Sequence, residues 1–197
     1  MVWRNAPHPP RRLPNASVRG REYLTEDEVK LLRNAAKGAG RYGLRDGTLI
    51  LVSYRHGLRV SEATDLRWDQ IDLNHRLMHV RRLKNGTAST HPMGREECRY
   101  LRQLRRRHPH SKHVFLSQLK GPISTATVCQ MIARAGRLAG IPFPVHPHML
   151  RHACGYKLAN DGHDTRAIQH YLGHRNIVHT VRYTELSPER FRGFWKD

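Results

Sequence analysis

Two clusters near the C-terminus hold side chains suited to phosphoryl chemistry. His148-Met149-Leu150-Arg151-His152 is followed by Leu172-Gly173-His174 and then by Tyr183, so Arg151 comes 3 residues after His148, His174 23 after Arg151, and Tyr183 9 after His174. Upstream, Gly57-Leu58-Arg59-Val60-Ser61-Glu62 offers another guanidinium beside a carboxylate, and Lys84 precedes Asn85-Gly86. Breaking a phosphodiester without a metal needs a nucleophile, cations over the non-bridging oxygens where negative charge builds up, and an acid for the departing oxygen. A phenol, guanidiniums, an ammonium and imidazoles could fill these roles. Any one of them taken alone would more often be a solvated charge or a packing residue.

In order and spacing the set resembles the tyrosine recombinase (phage integrase) family. There an H-x-x-R pair, an L-G-H motif and a nucleophilic Tyr follow one another, preceded by an Arg in a G-L-R-x-S-E turn and a hairpin Lys. The likeness covers roughly residues 23 to 186. Arg82-Leu83-Lys84, Thr90-His91-Pro92, His146 through His152 and Tyr171 through Ile177 look more closely like the short fimbrial phase-switch invertases. The resemblance implies that Tyr183 attacks and stores the broken bond as a 3′-phosphotyrosine ester, so rejoining needs no ATP. Arg59 and Arg151 would clamp the phosphate through bidentate, preorganised positive charge. Lys84 would protonate the leaving 5′ oxygen, His148 would assist proton transfer, and His174 would hydrogen-bond the scissile phosphate. Glu62 would orient a member of the site. No cofactor and no metal are expected.

The implied activity is site-specific recombination, with inversion of a short promoter-bearing segment as its outcome. The implied partners are double-stranded DNA with inverted-repeat sites, further copies of the chain forming a tetramer in the synaptic complex, and an accessory DNA-bending protein. Two alternatives stay open: a type IB-like topoisomerase, which shares the Tyr with the Arg-Lys-Arg-His constellation, and a non-cleaving DNA-binding regulator on the same fold. A pure binder has no use for all six groups together.

Charge agrees with a polyanionic partner. Lys and Arg total 35 against 16 Asp and Glu, a formal net charge of +19 over 197 residues, and 28 of the 35 cations are Arg. The planar guanidinium pairs with phosphate bidentately, where Lys acts as a point charge. Arg81 and Arg82 beside Lys84, Arg134 and Arg137 on one predicted helix, and Arg175 after the L-G-H motif are the expected DNA contacts. The longest apolar stretch, Thr48 to Tyr54, falls far short of the roughly 20 residues a membrane helix needs. No apolar signal core opens the chain, so a cytoplasmic, nucleoid-associated bacterial protein without a membrane partner is expected. Cys98, Cys129 and Cys154 form neither a disulfide framework nor a paired zinc knuckle. His146, His148 and His152 with Cys154 raise a zinc site only weakly, because Pro147 separates the first two at a helix start.

The elements that must position these groups read as mainly α with a small antiparallel sheet, an α+β class matching the tyrosine recombinase catalytic-domain fold. Residues 1–20, with Pro7, Pro9, Pro10 and Pro14 among Arg4, Arg11, Arg12 and Arg19, read as a flexible basic arm. The catalytic unit should span 21–186, leaving 187–197 as a tail with Phe191, Phe194 and Trp195 at helical spacing, packed on its own domain or on a neighbouring subunit. Thr25 with Glu28 predicts a capped helix over 26–37, followed by a buried helix over 44–54 and a short one from Ser61 to Leu66. Alternation from His75 and the Asn85-Gly86 pair predict a β-hairpin returning from Thr87 to about Met93. Helices follow at 96–107 and 125–138, with a short strand expected at 113–116. A helix from about His148 and three shorter segments finish the chain.

Overall fold

Thr25 caps the first helix as expected. Its hydroxyl accepts from the Glu28 amide at 3.3 Å and the Glu28 carboxylate accepts from the Thr25 amide at 2.8 Å, pairing two amides that a helix start leaves without partners. In the computed structural model, which describes residues 21–82 and 87–185, this helix is α1, Glu26–Gly38, burying Val29, Leu32 and Ala36. Gly43 opens α2, Gly43–Arg55, at a point where a Cβ would lie 2.0 Å from the Lys37 carbonyl oxygen, so only glycine lets the two helices approach. Every residue of α2 from Asp46 to Ser53 is buried. It forms the central rod of the fold.

Next come α3 (Val60–Thr64), a single 3-10 turn at Trp68–Gln70 and the strands β1 (Ile71–Asp72), β2 (Leu77–Val80) and β3 (Ser89–Pro92). The sheet is antiparallel in the order β1-β2-β3, with Met78 opposite both Ile71 and His91. Along β2, Met78 and Val80 turn inward while His79 faces out, the period of two that a half-buried strand requires. Helix α4 (Arg95–Arg107) buries Glu97, Cys98, Leu101 and Leu104. Helix α5 (Thr125–Leu138) is capped by the Ser124 hydroxyl, which accepts from the Thr127 amide. Helix α6 (Pro147–Asn160) starts on a proline whose missing amide costs nothing at that position. Two short helices, α7 (Thr165–Leu172) and α8 (Val178–Thr184), complete the described chain.

Leu32, Leu49, Ile50, Leu101, Ile132 and Leu150 belong to the main core, which joins α1, α2, α4, α5 and α6. A smaller cluster of Cys154, Ala159, Ile168, Leu172 and Tyr183 binds α7 and α8 to the same α6. The helices match the sequence reading closely, and the architecture is mainly α with a small antiparallel sheet. Three details differ or lie outside it. Strand β1 was not expected, since two residues are too few to show alternation. Residues 113–116 do not form a strand: they make only single bridges, Arg67 with His113 and Leu116 with Pro122. The Asn85-Gly86 tip, Lys84, residues 1–20 and the tail from 186 onward, where the last of the expected helical segments would fall, lie outside the described residues.

A buried polar chain stitches the sheet to this scaffold. His56 at the end of α2 approaches Glu97 of α4 at 2.6 Å through Nε2 and His91 of β3 at 3.1 Å through Nδ1, and His91 meets the Ser89 hydroxyl at 2.8 Å. His56, His91 and Glu97 are all buried. Removing one member strands the others away from water, so Glu97→Ala is expected to cost about 3 kcal/mol, or roughly 10 °C in melting temperature for a chain of this size. Thermal unfolding followed by circular dichroism checks this; a shift within about 2 °C would show that the chain is not worth its burial.

Candidate active site

Two glycine turns carry the site. After α2, Gly57 takes the left-handed conformation at φ 56°, where a Cβ would meet Leu172 Cδ2 at 2.4 Å. The chain then extends through Arg59 into α3. The Glu62 carboxylate, one turn on, accepts from the Arg59 amide at 2.9 Å and from Arg59 Nη1 at 2.7 Å. After α7, Gly173 is also left-handed, at φ 66°, and reverses the chain into His174.

Arg151 joins the two turns. Its side chain, on α6, donates through Nη1 to the Gly57 carbonyl and through Nη2 to the Leu172 carbonyl at 2.7 Å, across 94 and 21 positions of sequence. It is almost wholly buried, and that burial, helped by the like charges of Arg82 and Arg59, lowers its pKa to about 10. It remains a cation at neutral pH. Burial pushes the Glu62 carboxyl up, but Arg82 and the bonds from Arg59 outweigh it, so the group lies below the ordinary glutamate range and is ionised.

Tyr183 of α8 lies in the smaller core, 2% exposed. Its hydroxyl meets His152 Nδ1 at 2.9 Å, and its ring covers Gly155, where a Cβ would fall 2.6 Å from the ring carbon Cε2. Burial, opposed by Arg151, raises the phenol to about 12. The His174 ring lies nearly parallel to that of Tyr183, 6.2 Å away between centroids, and its Nδ1 is 2.9 Å from the Thr180 hydroxyl. His148 is exposed and sets its ring edge-on to His152 at 4.4 Å. Desolvation on its protein side and the positive Arg151 hold its pKa below the ordinary imidazole value. Arg59, Arg166, Gln169, His174, Arg175 and His179 are among the residues lining an open cavity of about 690 Å³ beside these groups, whose cationic wall suits an anion.

Burial holds His91, His152 and His174 near pKa 3. The unfolded chain takes up protons on these rings as pH falls below 6.5, whereas the folded chain resists until about 3. Their contribution to stability is therefore complete above pH 6.5 and is lost as pH falls toward 3, by up to about 1.4 kcal/mol per pH unit and group. Calorimetric melting at constant ionic strength should show a steep fall in melting temperature between pH 6.5 and pH 5. A flat profile would mean the folded protein protonates these rings freely.

Thus Arg59, Arg151, His174 and Tyr183 gather around the two glycine turns, Glu62 holds Arg59, and His148 stands one turn before Arg151 on α6. Arg134 and Arg137 are exposed on α5, which packs against α3, and Arg175 lies in the cavity wall. Arg81 is exposed, 3.9 Å from Asp69. Arg82 corrects the expectation of a DNA contact: its side chain is 0% exposed and paired with Glu62 at 2.9 Å. Met78 and Val80 already mark the buried face of this strand, and Arg82 continues their two-residue period. His152, weighed in the sequence only as a metal ligand, instead meets the Tyr183 hydroxyl. Its place four residues after His148, on the same helical face, was the only local signal.

The chain matches the phage integrase family over residues 22–190. It therefore belongs to that family and is a tyrosine-type site-specific recombinase. Within it, the chain is 44% identical over 182 residues to the type 1 fimbriae regulatory protein FimE of Escherichia coli (strain K12), covering 89% of this chain and 91% of FimE. FimB of the same strain, also a type 1 fimbriae regulatory protein, is 43% identical over 185 residues, covering 91% and 92%. The crystal structure of XerA recombinase superposes with a TM-score of 0.74 at 30% identity, over 87% of this chain and 63% of XerA. XerH bound to its difH substrate in a pre-cleavage complex shares the fold at a TM-score of 0.73 and 20% identity, over 87% of this chain and 52% of XerH. Among the described residues no helix is long and apolar enough to cross a membrane.

Proposed function

We propose that this recombinase cuts and rejoins DNA at inverted repeats flanking a short segment, switching its orientation to control fimbrial expression, and that Tyr183, Arg59, Arg151, His148, His174 and Lys84 carry out the chemistry. Tyr183 Oη attacks phosphorus, the bond to the 5′ oxygen breaks, and a 3′-phosphotyrosine ester forms. The phenol proton leaves toward an imidazole, with His148 assisting, and the departing oxygen takes a proton from Lys84. Arg59 and Arg151 meet the charge that grows on the non-bridging oxygens. With the Thr180 hydroxyl donating to Nδ1 of a neutral His174, Nε2–H is left to donate to the phosphate. Arg81, Arg134, Arg137 and Arg175 hold the flanking DNA, and a tetramer, helped by a DNA-bending partner and the basic arm of residues 1–20, brings two sites together.

The observation that supports this reading best is the shared anchoring of Arg59 and His174 by Arg151. One guanidinium spans the turn that carries each of them. A reporter plasmid carrying candidate inverted repeats around a marked segment tests the outcome. Orientation should switch in cells expressing the protein, and a matched plasmid without repeats should keep its supercoils. Efficient relaxation of any supercoiled circle, without inversion, would instead make the protein a topoisomerase.

A further inference from the structure

We propose that Arg82 is a positioning residue for the phosphate clamp, sharing Glu62 with Arg59 and fastening the Arg59 turn to the His174 turn. This rests on the reading of Arg59, Arg151 and His174 given above.

The contacts of Arg82 carry the inference. Through Nη1 it donates to Glu62 Oε2 at 2.9 Å and to the Gly57 carbonyl at 3.3 Å; through Nη2 it donates to the His56 carbonyl at 3.2 Å and to the Tyr171 carbonyl. Its acceptors therefore lie on both glycine turns. The Gly57 carbonyl also accepts from Arg151, so two buried guanidiniums span the same gap side by side. The L-G-H motif is shaped around this side chain as well: a Cβ on Gly173 would come within 2.7 Å of Arg82 Cγ and 2.9 Å of its Nε. The glycine thus answers two demands, a left-handed backbone and a neighbour passing directly against it.

Burying a guanidinium completely is expensive unless it is paired and hydrogen-bonded. Here the pairing also acts on a neighbour. Glu62 brings one negative charge to two arginines, Arg82 at 0% side-chain exposure and Arg59 at 28%. While Arg82 takes part of that charge, Arg59 keeps positive charge to present to a phosphate in the cavity it lines. Without Arg82, the carboxylate would belong to Arg59 alone, and the clamp would weaken without any loss of a group that touches DNA. In sequence Arg82 also stands two positions before Lys84, the proposed acid.

The test uses full-length protein and a nicked duplex carrying the repeat that the inversion assay identifies, with either a phosphodiester or an uncharged methylphosphonate at the scissile position. The methylphosphonate asks less of a cationic clamp. Arg82→Met should slow covalent adduct formation at least roughly thirtyfold on the phosphodiester but less than about threefold on the methylphosphonate. The salt dependence of non-covalent binding should be unchanged, because no phosphate contact is lost. Arg82→Lys, which keeps the charge but not the planar fork, should show an intermediate loss with the same contrast and serves if the Met variant melts below the assay temperature. Equal losses on both substrates would mean general damage, and a reduced salt slope with an unchanged rate would place Arg82 on DNA; either overturns the proposal. A wild-type adduct that persists in Tyr183→Phe, or no adduct at all, would instead overturn the underlying reading.

Discussion

Tyr183→Phe is expected to abolish the covalent protein–DNA adduct on a nicked duplex while leaving DNA affinity intact. The substitution removes the proposed nucleophilic oxygen and little else: the ring keeps its seat over Gly155 and its edge-on contact with Tyr156. Among the described residues the hydroxyl has one hydrogen-bond partner to lose, His152 Nδ1 at 2.9 Å. Leaving that buried nitrogen without a partner should cost about 1–3 kcal/mol, small enough for the variant to fold. Denaturing electrophoresis of labelled duplex gives the adduct, gel shift gives the affinity and thermal melting gives the fold. An adduct that survives the change would mean that a different residue attacks.

The second large effect falls on Arg151. Arg151→Lys and Arg151→Met should each slow adduct formation by a factor of about 100 to 1000, with lysine giving no useful rescue. The reason is geometric. Two nitrogens of one planar group reach the Gly57 and Leu172 carbonyls, and an ammonium on a flexible stem cannot hold two such acceptors in fixed directions while facing a phosphate. The lost bonds should also cost stability, about 1–3 kcal/mol, because the Leu172 carbonyl loses its donor while the Gly57 carbonyl keeps Arg82. Single-turnover cleavage at saturating protein separates the chemical step from binding. A lysine variant within about tenfold of wild type would show that point charge suffices and that the bidentate geometry is unimportant.

What could be read in advance follows from how far apart the interacting groups lie in the chain. The Thr25 cap, the span of α5 and the apolar stripe of α4 depend on neighbours within a few residues, so periodicity and capping chemistry announce them. The order of His148, Arg151, His174 and Tyr183 was legible for a different reason: short spacings along α6 and around the Gly173 turn fix those groups relative to their own elements. What spacing does not carry is the meeting of distant elements. Arg151 finds the Gly57 carbonyl across 94 positions, and Tyr183 finds His152 across 31. The misreading of Arg82 has the same origin, for excess positive charge argued for the surface while the strand period argued for the interior. Its acceptors, from His56 to Tyr171, become visible only when the two turns are seen side by side.

The seat of Tyr183 sets a condition on the proposed reaction. At 2% exposure and packed with Cys154, Ile168 and Leu172, the phenol proposed as nucleophile would need its short helix to move before it met a phosphate. Under the reading proposed above, the timing of the cut would then rest on how these seven residues of backbone, Val178–Thr184, sit, and less on the reactivity of the oxygen itself.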